Sequence, residues 1–159
     1  MDRNQNLPKI LQLDNLNKLR QKFPKKKIIL ISGCFDILHI GHIGFIEAAK
    51  KQADILVIGI LSDKFVKKRK GQSRPIFTEM ERLKLIVSLE IVDYAFIMDT
   101  NDVDTVLQEL SPNFYGIGGD RDKNNFAEKR WLNKYNVKVK FLPRFGEEST
   151  TTILKRVLR

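Results

Sequence analysis

The 159-residue chain holds one cysteine, Cys34, and two histidines, His39 and His42. A single thiol excludes a disulfide framework, as expected for a reducing compartment, and excludes a zinc site built on several thiolates. Long apolar runs are also missing. The stretch 55–61 is far shorter than the roughly 20 residues needed to cross a bilayer. The opening residues, Met1-Asp2-Arg3-Asn4-Gln5-Asn6, lack the apolar centre of a signal peptide. A soluble cytoplasmic protein is therefore expected. Repeats and low-complexity segments are absent. Acidic residues are in deficit: 19 Asp and Glu face 29 Lys and Arg, a formal net charge of +10. That excess suits nucleic acid, suits small polyanions such as NTPs and sugar phosphates, and equally suits a surface of solvated lysines.

With 42% hydrophobic and 30% charged residues the composition is globular, and the length fits one domain, 1–159, with its own core. Apolar residues at 16, 19 and 23 have helical spacing, so 1–25 reads as a lead-in containing a helix that Pro24 ends. The β-branched run Lys27-Ile28-Ile29-Leu30-Ile31-Ser32 predicts a strand buried on both faces. Further strands are expected at 55–61, 94–98, 113–117 and 137–142. Helices are expected at 41–51, 78–89, 103–110, 125–135 and 150–158. Thr78-Glu79-Met80-Glu81 has the form of a capping box. The basic stretch 62–75 reads as a loop. Strands alternating with helices predict an α/β protein: a Rossmann-like, parallel five-stranded sheet with helices on both faces. In such folds ligands bind beyond the carboxyl ends of the strands, where strand order reverses.

The residues that follow the strands carry the chemistry. After the first comes Gly33-Cys34-Phe35-Asp36-Ile37-Leu38-His39-Ile40-Gly41-His42. Gly33 lets the backbone turn and approach a ligand. A helix beginning near Gly41 aims free N–H groups and its positive dipole end at the same place, which favours phosphate. His39 and His42, three apart, share one helical face and can donate hydrogen bonds to phosphoryl oxygens; a metal pair or a packed core pair is the structural alternative.

These residues resemble the cytidylyltransferase-like nucleotidyltransferase superfamily, in which His-x-Gly-His follows Gly-x-Phe-Asp. The similarity extends over nearly the whole chain. Ser62-Asp63, Val66-Lys67, Lys70-Gly71 and Arg74-Pro75 resemble a stretch of the heptose-phosphate adenylyltransferases, and Glu81-Arg82, Val92-Asp93, Gly118-Gly119-Asp120 and Ser149-Thr150-Thr151 fall where those enzymes have similar residues. The resemblance implies transfer of a nucleotidyl group from an NTP, ATP first, to a sugar phosphate such as heptose 1-phosphate, with release of pyrophosphate. It implies His39, His42 and Lys67 as catalytic groups. It implies nucleotide binding by Gly33, Cys34, Phe35, Gly41, Lys70, Gly119, Asp120, Arg144, Ser149 and Thr150. It also implies Mg²⁺ held mainly by the phosphates, with Asp36 the candidate carboxylate, and a homodimer.

Alternatives stand beside several of these roles. Asp36 is equally a turn-forming residue, and Ser149 an ordinary helix cap. Arg82 either reaches the cleft or pairs with Glu79 one turn back. Lys68 and Arg69 read as solvated. Cys34 has no activating partner and no nucleophilic role. Ser32 stands where an Asn is usual, and Ile117 and Arg121 where a lysine and an aromatic residue are common. Ile117 thus removes a charge expected on the acceptor side. Glycerol-phosphate cytidylyltransferases are the nearest rival, and flavin-type adenylyltransferases another; Glu90, where the glycerol-phosphate type has arginine, favours the heptose-like reading. A nucleic-acid-binding module using Lys64 to Lys70 is the non-enzymatic alternative. Only Phe65 in that run can stack on a base, so no nucleic-acid partner is expected.

Overall fold

The computed structural model of the chain describes residues 8–99, 102–119, 121–123, 125–143, 145–146 and 149–157. Along the chain run α1 (Leu16–Lys22), β1 (Ile28–Gly33), α2 (Ile40–Lys50), β2 (Ile55–Leu61), α3 (Asp63–Lys70), α4 (Glu79–Val87), β3 (Tyr94–Met98), α5 (Val103–Leu110), β4 (Phe114–Gly118), α6 (Lys129–Lys134), β5 (Lys138–Leu142) and α7 (Thr150–Val157). The five strands form one sheet in the order β3-β2-β1-β4-β5, and every neighbouring pair is parallel. This is the expected α/β arrangement.

β1 is central because its side chains are apolar on both faces. Ile28 and Leu30 join one core cluster with Leu16 and Leu19 of α1, Val106 and Leu110 of α5 and Leu132 of α6. Ile29 and Ile31 join the other, with Ile46 and Ala49 of α2 and Leu83 and Ile86 of α4. Leu16 and Leu19 are fully buried, each contributing about 1.5–3 kcal/mol by leaving water. From β1 the chain winds outward to β2 and β3, then returns to lay β4 on the other side of β1. The reversal opens a crevice between the carboxyl ends of β1 and β4, the place where such folds bind ligands.

The lead-in does more than precede the sheet. Leu11 N–H donates to the Ala95 carbonyl at 2.9 Å and Ala95 N–H to that of Lys9 at 2.8 Å, so this segment covers the β3 edge. The Val92-Asp93 pair is also structural. Asp93 Oδ2 accepts from the Leu56 N–H at 2.7 Å and from Lys50 Nζ, which fixes the start of β2 against the end of α2.

Two expectations change. The stretch after β2 is not a loop throughout: 63–70 is helix α3, capped by the Ser62 hydroxyl, which accepts from Phe65 N–H at 3.2 Å. Buried Val66 gives that otherwise exposed basic helix its one anchored face. The helix expected over 125–135 is confined to Lys129–Lys134. Among the described residues no helix is long and apolar enough to cross a membrane.

The capping box of α4 is complete: Thr78 Oγ1 accepts from Glu81 N–H, and the Glu81 carboxylate accepts from Thr78 N–H at 2.8 Å. Thr78→Ala is expected to lower unfolding free energy by about 1 kcal/mol in urea titration. An unchanged midpoint would show that packing alone holds the helix start.

Candidate active site

Beyond β1 the backbone turns under steric control. Phe35 has φ of +48°, a left-handed conformation unusual for a bulky residue, and its ring is 3% exposed. A β-carbon on Gly33 would lie 2.8 Å from that ring, so glycine is required there. The turn delivers His39 as the N-cap of α2. Its carbonyl accepts from His42 N–H at 2.9 Å and Ile43 N–H at 3.2 Å, and no side chain caps the helix. The positive end of an 11-residue helix is therefore left without a side-chain cap. The His39 and His42 rings stack with centroids 3.9 Å apart, and Phe35 lies 5.2 Å from His42 on its other side.

A cavity of about 510 Å³ opens at this point, at the carboxyl ends of β1 and β4. Its wall includes Gly33, Cys34, Phe35, Asp36, His39, Gly41 and His42 from the first turn and Lys70 from the end of α3. Ser149, Thr150 and Thr151 bring the N-terminus of α7 to the same space. The two helix starts approach because Gly41 has no side chain: a β-carbon there would sit 2.7 Å from the Phe145 carbonyl oxygen. Ser149 is a helix cap, its hydroxyl accepting from Thr152 N–H at 3.1 Å, and it lines the cavity as well.

Several expected residues stand elsewhere. Lys67 is exposed and outside the cavity wall, whereas Arg69 lines it. The cause is that α3 meets the cavity with its last turn only. Gly119 donates to the Leu142 carbonyl at 2.7 Å and leaves the wall to Gly118. Ile117 lines the cavity but is 2% exposed, its side chain packed in the core. Asp120 and Arg144 lie outside the described residues.

Asp36 differs most from its expected role. It is 1% exposed. Oδ1 accepts from the N–H groups of Ile76 at 2.8 Å and Phe77 at 3.0 Å, while Oδ2 is ion-paired with Arg74 at 2.7 Å. This carboxylate folds the segment after α3 against the first turn. Both oxygens being engaged, it does not suit a divalent ion, and among the described residues no group of three or more His, Cys, Asp or Glu does.

Arg82, for which the sequence suggested a place in the cleft or a pair with Glu79, instead ties the site together. Arg82 of α4 is fully buried. Its Nη1 donates to the Cys34 carbonyl at 2.6 Å, Nε to that of Phe77 at 3.0 Å, and Nη2 to the Leu61 carbonyl at 2.9 Å and to Asp63 at 2.6 Å. It neither enters the cavity nor pairs with Glu79. The Glu79 carboxylate instead accepts from Asp63 N–H at 2.7 Å, at the start of α3.

Burial, then the neighbouring His39 and Lys70, pushes His42 down to about 4, against a backbone hydrogen bond to Ile37 and the Asp36 carboxylate. Burial also raises the Cys34 thiol, keeping it protonated and unreactive. An unfolded histidine titrates near 6.5. Between that value and about 4 the unfolded chain therefore binds more protons, so the His42 contribution is complete above about pH 6.5 and declines as pH falls. His42→Gln is expected to flatten this part of a stability–pH curve, by up to about 1.4 kcal/mol per pH unit. A curve identical to that of the parent protein would contradict the assigned titration.

Residues 30–156 match the family model described as cytidylyltransferase-like. A bifunctional protein HldE from Geobacter metallireducens is 34% identical over 153 residues, covering 95% of this chain and 31% of that one. Its counterpart from Helicobacter pylori (strain ATCC 700392 / 26695) is 36% identical over 157 residues, 98% of this chain and 32% of the relative. The chain thus spans about a third of the length of these curated relatives. Among solved structures, the lipopolysaccharide core biosynthesis protein from Thermoplasma volcanium GSS1 is similar with a TM-score of 0.62 and 31% identity, over 77% of this chain and 99% of that one. A pantoate-beta-alanine ligase from Francisella tularensis shares the fold at a TM-score of 0.65 and 20% identity, over 87% of this chain and 67% of the ligase. The family match runs from the middle of β1 into α7 and so takes in both helix starts that face the cavity; the chain belongs to the cytidylyltransferase-like family.

Proposed function

We propose that this domain transfers the nucleotidyl group of an NTP, ATP in the first place, to the phosphate of a sugar phosphate such as heptose 1-phosphate. The observation that carries this reading is the convergence of two helix N-termini, the stacked His39–His42 pair and Lys70 on one cavity at the strand-order reversal. That arrangement suits a triphosphate, a chain of anionic oxygens that accepts hydrogen bonds along its length. Relatives named bifunctional protein HldE and a neighbour titled a lipopolysaccharide core biosynthesis protein support a sugar phosphate as acceptor.

In this reading an oxygen of the acceptor phosphate attacks the α-phosphorus in line. The bond from that phosphorus to the bridging oxygen breaks, and pyrophosphate leaves. A phosphate monoester is largely dianionic at neutral pH, its second pKa being about 6, so no general base is required. Catalysis then rests on positioning and on donors aimed at the charge that develops. His39 and His42 take this role at the α-phosphate, and Lys70, with Arg69 beside it, attends the leaving pyrophosphate. Lys67, one turn back and outside the wall, is given no contact with the reacting groups. Mg²⁺ enters as the counterion of the NTP, held by its phosphates, since Asp36 is engaged by Arg74 and two backbone N–H groups. The cytoplasm as the site of action rests on the composition and a homodimer as the working form on the family resemblance; both belong to the same reading.

The test is a pyrophosphate-release screen of the four NTPs with Mg²⁺ against sugar, polyol and flavin phosphates. The fastest release is expected with ATP and heptose 1-phosphate. His42→Ala should lower kcat at least about a hundredfold, the scale of losing one donor to a developing charge. Release with no acceptor in the panel, or a near-normal rate in the variant, would overturn the reading.

A further inference from the structure

One polar feature of the cavity is not used by the phosphates. Tyr115 lies in the middle of β4, in register with Leu30, and is 3% exposed. Its ring packs among core residues that include Leu30 and Ile117. Its hydroxyl is 2.7 Å from the hydroxyl of Ser32, at the end of β1. Strand alternation puts Ser32 on the same face as Leu30, and hence as Tyr115. Both residues line the cavity. A longer side chain at position 32 would meet the Tyr115 oxygen, so serine is the residue that lets the two hydroxyls pair.

Two hydroxyls carry two protons, and only one of them lies between the oxygens. The other proton and the remaining lone pairs have the cavity to turn to. Burial, then the Glu128 carboxylate, pushes the Tyr115 phenol upward, so it stays protonated. The pair is therefore neutral, and it both donates and accepts. Arg121 adds pure donors on the same wall, held by Glu128 at 3.3 Å. An anion would be served better by the histidine wall. A sugar hydroxyl, which must donate and accept at once, is served better here.

We infer that the Ser32–Tyr115 hydroxyl pair, with Arg121 beside it, forms a subsite for the ring hydroxyls of a sugar unit. The inference rests on the nucleotidyl-transfer reading for its choice of ligands. Two units in that reaction carry such hydroxyls: the ribose of the NTP and the sugar of the acceptor. The recognition chemistry is the same for both, so the experiment separates them.

Parent protein, Tyr115→Phe and Ser32→Ala are compared in two arms. One arm sets ATP against 2′-deoxy-ATP and 3′-deoxy-ATP with a fixed acceptor. The other sets heptose 1-phosphate against its monodeoxy forms with fixed ATP. A site built to bond a hydroxyl rejects the analogue lacking it, here by at least about tenfold in kcat/KM. In both variants that ratio is expected to collapse to about twofold in one arm and to stay unchanged in the other. The arm that collapses names the sugar. Ratios unchanged in both arms, in both variants, would overturn the inference and leave the pair a purely internal hydrogen bond. Calorimetric binding of the same ligands reads the same ratios without turnover. Absence of pyrophosphate release would therefore sink the transfer reading while the binding ratios still decide this one.

Discussion

The site depends on one buried guanidinium. Arg82 offers a planar fork of donors and uses four hydrogen bonds to hold the carbonyls of Cys34, Leu61 and Phe77 and the carboxylate of Asp63. Those acceptors belong to the turn after β1, the end of β2, the lead into α4 and the start of α3. Each would otherwise leave a polar group without a partner close to the core, at about 1–3 kcal/mol apiece. The Asp36–Arg74 pair and the two backbone N–H groups on Asp36 add a second tie between the same regions. Three buried charged residues, Arg82, Asp36 and Arg74, thus hold the segments around the cavity together.

This explains a division in the cavity. The groups suited to phosphate are helix starts, imidazoles and a lysine; Arg82 and Asp36 tie the turn that leads to the histidines to the segments on either side of α3. His42 is kept neutral by burial. The strands contribute neutral hydroxyls to the same cavity, Ser32 and Tyr115, positioned by the sheet register itself. In the proposed reading, charge recognition falls to turns and helix ends, and neutral recognition to the strand ends.

What the sequence made readable was local or periodic. The capping box at Thr78 and Glu81 involves residues three apart, and the β-branched run of β1 declares its two-sided burial. The strands came out within a residue or so, and the order of post-strand motifs located the cavity. Less was readable where the deciding contact is distant. The 62–75 stretch reads as a loop because its lysines and arginines outweigh one anchoring residue, Val66. Asp36 looked available to a metal ion because its partners, Arg74, Ile76 and Phe77, follow some forty residues later. Arg82 has partners from 5 to 48 residues away, and the Ser32–Tyr115 pair spans 83. No short-range pattern announces such contacts. The spacing of the two histidines, by contrast, announced itself.

The central claim is that the Arg82 guanidinium, though absent from the cavity wall, sets the geometry in which transfer occurs. Small-cation rescue of Arg82→Ala tests it most directly, with pyrophosphate release followed as guanidinium ion is added at concentrations too low to denature. The account predicts a rate at least about a hundredfold below that of the parent, restored in part by guanidinium and not by equal concentrations of sodium. A folded Arg82→Ala protein with the parental rate in the absence of guanidinium would contradict it.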